Sequence, residues 1–169
     1  MILIEKNLKF TFDSASNSEA SKYDEWAFYR SRFVKVVNGT KAVDFIYIDK
    51  SSNNTWLIEV KDYRHPDTEK IKPSVLANTV AAKVKDTLAG LVAAERNASA
   101  EEKDFAKNAL KSSRIRVVLH VEQSKNRLFT IDVADLQTKL KQQIKAIDAH
   151  PCVVGQKSLK ANMNWTVKG

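Results

Sequence analysis

Cysteine is almost absent. Cys152 stands alone, so no internal disulfide can form and no cysteine framework for zinc exists. Four glycines and three prolines are too few for a low-complexity or fibrous chain. No apolar run approaches the roughly 20 residues that cross a bilayer, so no membrane partner is expected. Met1-Ile2-Leu3-Ile4-Glu5-Lys6 lacks the basic start, long apolar stretch and small-residue cleavage site of a secretory signal, and a cytoplasmic location is expected. No Gly-rich phosphate loop, Ser/His/Asp set or Cys/His pair occurs. His120 and His150 have no metal-ligand spacing.

What is present is a globular composition, 43% hydrophobic and 28% charged, over 169 residues. That length suits one domain with a sizeable core, expected to run over 1–169 with its core at about 18–132, then a C-terminal helix at 133–147 and a tail. The formal charge is +8 and unevenly spread: residues 101–169 carry thirteen Lys/Arg against seven Asp/Glu. A basic excess favours a polyanionic partner, because Lys and Arg release condensed counterions at phosphates.

Residues 2–12 alternate loosely and read as extended structure, a hairpin or edge strand. Ser16-Asn17-Ser18-Glu19 has capping-box spacing and predicts a helix to about Arg32. Phe33–Val37 reads as a short strand ended by the Asn38-Gly39 turn signal. Ala42–Asp49 and Thr55–Asp62 read as a hairpin across a polar turn. Ser74 to about Arg96 carries a helical stripe of Leu76, Val80, Val84, Leu88 and Leu91. Ser99 to Glu102 is a second capping box, opening a helix to about Lys111. Strands are expected at Arg114–Glu122 and Arg127–Asp132, a helix at Val133–Ile147, and a final short strand at Asn164–Val167. The order implies an α/β class with a central mixed sheet flanked by helices.

Within the hairpin, side chains alternate faces. One face carries Val43, Phe45, Tyr47, Trp56, Ile58 and Val60, all apolar. The other carries Ile46, Ile48 and Leu57 near the turn, then Asp44, Glu59 and Lys61 at the far end. If Asp49 pairs with Asn54, Asp44 lies opposite Glu59. If Lys50 pairs with Thr55, it lies opposite Lys61. Either register keeps the three on one face, with Cβ atoms roughly 4.5–8 Å apart. Buried charge needs partners or a metal. Two hard oxygen ligands suit Mg²⁺ (or Mn²⁺), and a lysine of depressed pKa beside them can position or deprotonate water. Such a set suits phosphodiester hydrolysis.

Asp44 followed by Glu59-Val60-Lys61 on the next strand resembles the signature of the PD-(D/E)xK, restriction-endonuclease-like nucleases, although Val43 stands where the motif has proline. The resemblance covers residues 18 to about 122. It implies a restriction-endonuclease-like core and a Mg²⁺-dependent nuclease, endonuclease or exonuclease, acting on DNA in the first instance with RNA as the alternative, and leaving 5′-phosphate and 3′-hydroxyl ends. It also implies catalytic roles for Asp44, Glu59 and Lys61. Asp44, Glu59 and the Val60 backbone carbonyl would ligate the metal, with Glu25 (or Asp24) as an added acidic ligand. The runner-up is a catalytically silent nuclease-like module binding nucleic acid or protein in a defence or toxin–immunity system. Cutting both strands of a duplex would favour a homodimer, and a larger assembly is a third reading.

Lys83, on the border of the long helix's stripe, is a candidate phosphate contact, with Thr79 and Asp86 nearby. Arg64 and His65 follow the motif strand, and Arg114 and Arg116, near Lys111, could form a basic patch beside the sheet. The bland alternatives are solvated flanks and surface charge. Trp26, Trp56 and Trp165 fit core packing better than base stacking.

Overall fold

A computed structural model describes residues 1–64, 71–124 and 131–169. Strands β1 (Ile2–Glu5) and β2 (Leu8–Phe12) form a hairpin turned at Lys6, which takes a left-handed φ of 52°. Alternation in β2 buries Leu8, Phe10 and Phe12 and leaves Lys9 and Thr11 outside. The last strand, β8 (Trp165–Lys168), pairs antiparallel with β2, completing a three-stranded sheet ordered β1-β2-β8.

The second sheet has five strands in the order β3-β4-β5-β6-β7. They are β3 (Glu19–Lys22), β4 (Phe45–Asp49), β5 (Asn54–Asp62), β6 (Arg114–Glu122) and β7 (Cys152–Val154). The first three run antiparallel, whereas β5, β6 and β7 run parallel. Parallel neighbours need long crossovers. Helices α2 (Pro73–Asn97) and α3 (Ala100–Lys111) make the first, and α4 (Val133–Ile144) makes the second. The short α1 (Ala27–Ser31) precedes β4.

The mixed sheet is buried on both faces, by different layers. Its helix side packs Ile46, Ile48, Leu57, Val117 and Leu119 against Leu76, Val80, Val84, Leu91, Leu136 and Leu140. Its other side packs Phe45, Tyr47, Trp56, Ile58 and Val118 against Phe10, Phe12, Trp165 and Val167 of the small sheet. Each such side chain taken out of water contributes about 1.5–3 kcal/mol. Helices therefore flank one face only, the other being covered by a sheet.

Several expectations are corrected. The helix from Ser16 to Arg32 does not form. Ser16 and Asn17 take left-handed φ values of 56° and 59°, Glu19–Lys22 joins the sheet as β3, and only Ala27–Ser31 is α-helical. Phe33–Val37 is no strand: Phe33–Lys35 is a 3₁₀ turn, and Val36 and Val37 are exposed. Cys152–Val154 is a strand that sequence patterning missed. The expected strand at Arg127–Asp132 falls largely outside the described residues, while Asp132 accepts from the Ala134 and Asp135 N–H groups and so caps α4. That helix ends at Ile144 instead of Ile147. The second capping box is half made. Ser99 Oγ accepts from Glu102 N at 3.5 Å, but the Glu102 carboxylate accepts from Ala27 N and Phe28 N instead, capping α1 from a distance. Among the described residues no helix is long and apolar enough to cross a membrane.

Candidate functional site

The β4–β5 turn sets the register. Asp49 is fully buried, and its carboxylate accepts from the Ser51 N–H and hydroxyl, the Ser52 N–H and hydroxyl, and Asn164 Nδ2. Asn53 takes the left-handed φ of 53° that its short polar side chain tolerates. Asp49 pairs with Asn54 and Phe45 with Ile58, the first of the two registers, so Asp44, just before the ladder, comes level with Glu59. The Asp44 Oδ2 oxygen accepts from Val60 N at 2.7 Å.

Glu59 is 1% exposed, with its carboxylate under α2. From α2, Lys83 Nζ donates to Glu59 Oε1 at 2.7 Å and to Oε2 at 2.8 Å, and lies 3.7 Å from Asp44 Oδ1. Lys61, two residues along β5 on the same face, donates a short hydrogen bond to Glu59 Oε1. Two carboxylates and two ammonium groups thus form one compact cluster. Burial, and after it the neighbouring Asp44 charge, push the Glu59 carboxyl above its ordinary range, against the pull of Lys61 and Lys83. For Lys61, burial pulls its pKa down, but the Glu59 carboxylate outweighs it and the net shift is upward. A base needs the opposite shift. Lys61 is held as an ammonium.

The long helix also fixes the chain that enters β4. Asp86 Oδ2 accepts from Lys41 N at 3.0 Å, and the buried Thr87 hydroxyl accepts from Val43 N at 3.1 Å. With Lys83 on Asp44, three polar residues of one helix flank hold positions 41–44. Sequence reasoning missed Thr87. Its signal was the i, i+4 spacing from Lys83 on the same face. Thr79 is not part of this: its hydroxyl donates back to Val75 O within the helix.

Other candidates lie elsewhere. Glu25 is not brought to Asp44 and Glu59; it is exposed and pairs with Lys22 at 3.0 Å. Asp24 is not grouped with them for a metal ion either, among the described residues. Its pKa is raised by burial and by the Asp44 charge, against the pull of Lys22, and its Oδ1 atom is buried without a hydrogen-bond partner among the described residues. Arg64 pairs with Asp62, at 2.9 and 2.7 Å, and donates to the Gly169 carbonyl. Arg114 is exposed opposite Asn54, five residues along β6 from Leu119, the neighbour of Glu59. That is about 16 Å at the usual strand rise. Arg116 packs over the Trp56 ring at 5.5 Å and lies 3.4 Å from Asp148. His65 lies outside the described residues. Trp56 and Trp165 stack edge to face in the core, and Trp26 packs on Phe105.

Among the described residues no group of three or more His, Cys, Asp or Glu side chains is placed to hold a metal ion. Asp44 and Glu59 are two hard-oxygen donors, and one or two carboxylates are what Mg²⁺ commonly takes from a protein. The donor set fits such an ion, with the condition that both Glu59 oxygens are now engaged by ammonium groups.

Fold and site together define a basic α/β domain with a lysine-neutralised acidic pair at the far end of a central hairpin. The chain is 33% identical over 174 residues to the cysteine–tRNA ligase of Neisseria meningitidis serogroup A, a match covering 85% of this chain and 24% of that protein. The chain thus spans about a quarter of the length of the curated relative it matches. Neither a protein-family profile nor a solved structure matches it.

This likeness overturns the nuclease reading. A chain related along most of its length to part of a ligase is not assigned to the PD-(D/E)xK nucleases, to hydrolases or to DNA cleavage, nor to a silent nuclease-like module.

Proposed function

We propose that this chain is an RNA-binding module with a role related to tRNA ligation, and that the cluster of Asp44, Glu59, Lys61 and Lys83 is where it meets an RNA phosphate. The likeness to a tRNA ligase over 85% of the chain carries this reading. The +8 charge supports it, because a polyanion is the partner such a surface attracts over long range.

Within the cluster, Lys83 and Lys61 supply the cationic donors, with side chains 18% and 27% exposed, while the carboxylates beneath hold them in place. Asp44 and Glu59, with the Val60 backbone carbonyl, are the residues that would hold Mg²⁺ or Mn²⁺. Such an ion would supply added positive charge facing the phosphate. Lysine suits this role as a point charge on a flexible stem, contributing affinity with little sequence reading.

The test is binding of bulk tRNA and of duplex DNA of equal length, followed by fluorescence anisotropy across a salt series, with and without Mg²⁺. Tighter binding of tRNA is expected. Lys61→Ala should weaken it and lower the slope of log affinity against log salt by about 1. Equal affinity for tRNA and DNA, or an unchanged slope in the variant, would remove the reading.

A further inference from the structure

The edge of the mixed sheet opposite β7 is β3. Tyr23 N donates to Asp44 O at 3.2 Å, which continues the β3–β4 ladder and fixes its phase. Hydrogen-bonded pairs alternate along antiparallel strands. Ser21 and Glu19 therefore exchange bonds with β4, while the backbone groups of Ala20 and Lys22 point outward. Beyond that edge, towards β1, lies a cleft of about 550 Å³. It is lined by the apolar Leu3, Ala20, Trp26 and Phe105 and by four glutamates, Glu19, Glu25, Glu101 and Glu102, of which Glu19 pairs with Lys50 at 2.6 Å and Glu102 caps α1. Two lining residues carry positive charge: Met1, whose ammonium donates to the Phe12 carbonyl, and Lys22, which is engaged by Glu5 at 3.2 Å, Glu25 at 3.0 Å and the Ile4 carbonyl.

A lining with four carboxylates against two cations, on a chain of charge +8, is a local reversal of sign. It repels RNA and attracts a cationic partner. An outward strand edge offers main-chain bonds to an extended segment, which is how peptides add to sheets. We infer that β3 is a docking edge for an extended, lysine- or arginine-bearing segment of a partner protein, paired to Ala20 and Lys22 with its basic side chains against Glu25 and Glu101. This interaction is separate from the RNA site.

The probe is a short fluorescein-labelled peptide alternating Lys and Val, with a Glu/Val peptide as control, read by anisotropy and by amide hydrogen exchange. The Lys peptide should bind and should slow exchange at the Ala20 and Lys22 amides. Ala20→Pro should weaken it about tenfold or more. Because that N–H points outward, proline is tolerated at this edge, and an unchanged circular dichroism spectrum confirms the fold. Glu25→Lys with Glu101→Lys should weaken it comparably. Failure of the Lys peptide to bind, equal binding of the Glu peptide, or full affinity in Ala20→Pro would overturn the inference. So would sedimentation showing a dimer of the chain itself that Ala20→Pro dissolves, since that assigns the edge to a second copy.

Discussion

Replacing Lys83 by Met would leave the Glu59 carboxylate, whose side chain has no exposure, with Lys61 as its remaining ammonium partner. Removing one partner of a buried ion pair costs about 3–5 kcal/mol when the survivor is left alone. Two facts reduce that figure here: Lys61 still donates to Glu59 Oε1, and Lys83 is itself 18% exposed, so water screens part of its charge. The expected loss is about 2 kcal/mol. For a chain of this size that lowers the thermal midpoint by about 4–8 °C. The cause is isolated by Glu59→Gln, which removes the charge that Lys83 compensates. In that background Lys83→Met should cost the packing of its methylenes and its weaker 3.7 Å contact with Asp44, together under about 1 kcal/mol. Urea denaturation of the wild type, both single variants and the double variant closes the cycle. A coupling of about 1–2 kcal/mol is expected. Equal costs of Lys83→Met in both backgrounds would refute the cluster as a coupled unit and reduce Lys83 to a flanking residue of α2.

Gly90→Ala should destabilise the chain by about 1–3 kcal/mol through overpacking, because a Cβ there would sit 1.9 Å from the Tyr23 hydroxyl oxygen. Tyr23→Phe should relieve most of that loss in thermal melts; that hydroxyl is buried and without a hydrogen-bond partner among the described residues, so its removal alone should cost little. Asp49 titrates in the other direction from Tyr23. Burial pushes its carboxyl up, but the hydrogen bonds from Ser51, Ser52 and Asn164 outweigh it and hold the pKa below its ordinary value. Its stabilisation is therefore full above the unfolded-state pKa of about 3.9 and is lost as pH falls through the folded value. Asp49→Asn should lower stability at neutral pH and flatten the acid limb of a stability–pH curve below about pH 4, and an unchanged acid limb would count against the turn.

The central hairpin was legible because both strands alternate and both faces are buried, so a slip by one residue would have mismatched every apolar side chain at once. The long helix was legible for a similar reason, with Leu76, Val80, Val84 and Leu91 recurring at helical spacing. Residues 16–22 were not. Ser16 and Glu19 have capping-box spacing, yet the left-handed turn at Ser16 and Asn17 delivers Glu19–Lys22 to the open edge of β4. Nothing in Glu-Ala-Ser-Lys favours a strand; the ladder groups offered by β4 decide it. The three residues of β7 are too few to show a period, and their strand state comes from the neighbouring β6.

The candidate site was legible to a similar depth. Alternation places Asp44, Glu59 and Lys61 on one face at one end of the hairpin, and the ladder, which ends at Phe45 and Ile58, has the first of the two expected registers. What spacing along two strands does not contain is the group that neutralises them. Lys83 is 24 residues from Glu59 in the chain and arrives on another element. Its arrival changes the electrostatics, because both Glu59 oxygens are engaged by ammonium groups and the Glu59 carboxylate shifts the Lys61 pKa upward. The same three strand residues would serve catalysis if the lysine were desolvated without a partner, and serve cationic recognition when it is paired. One scaffold accommodates both, and the choice between them lies in the helix that packs over the strands. The coupling between Lys83 and Glu59 is therefore the quantity that separates a cluster built to bind from one built to activate water.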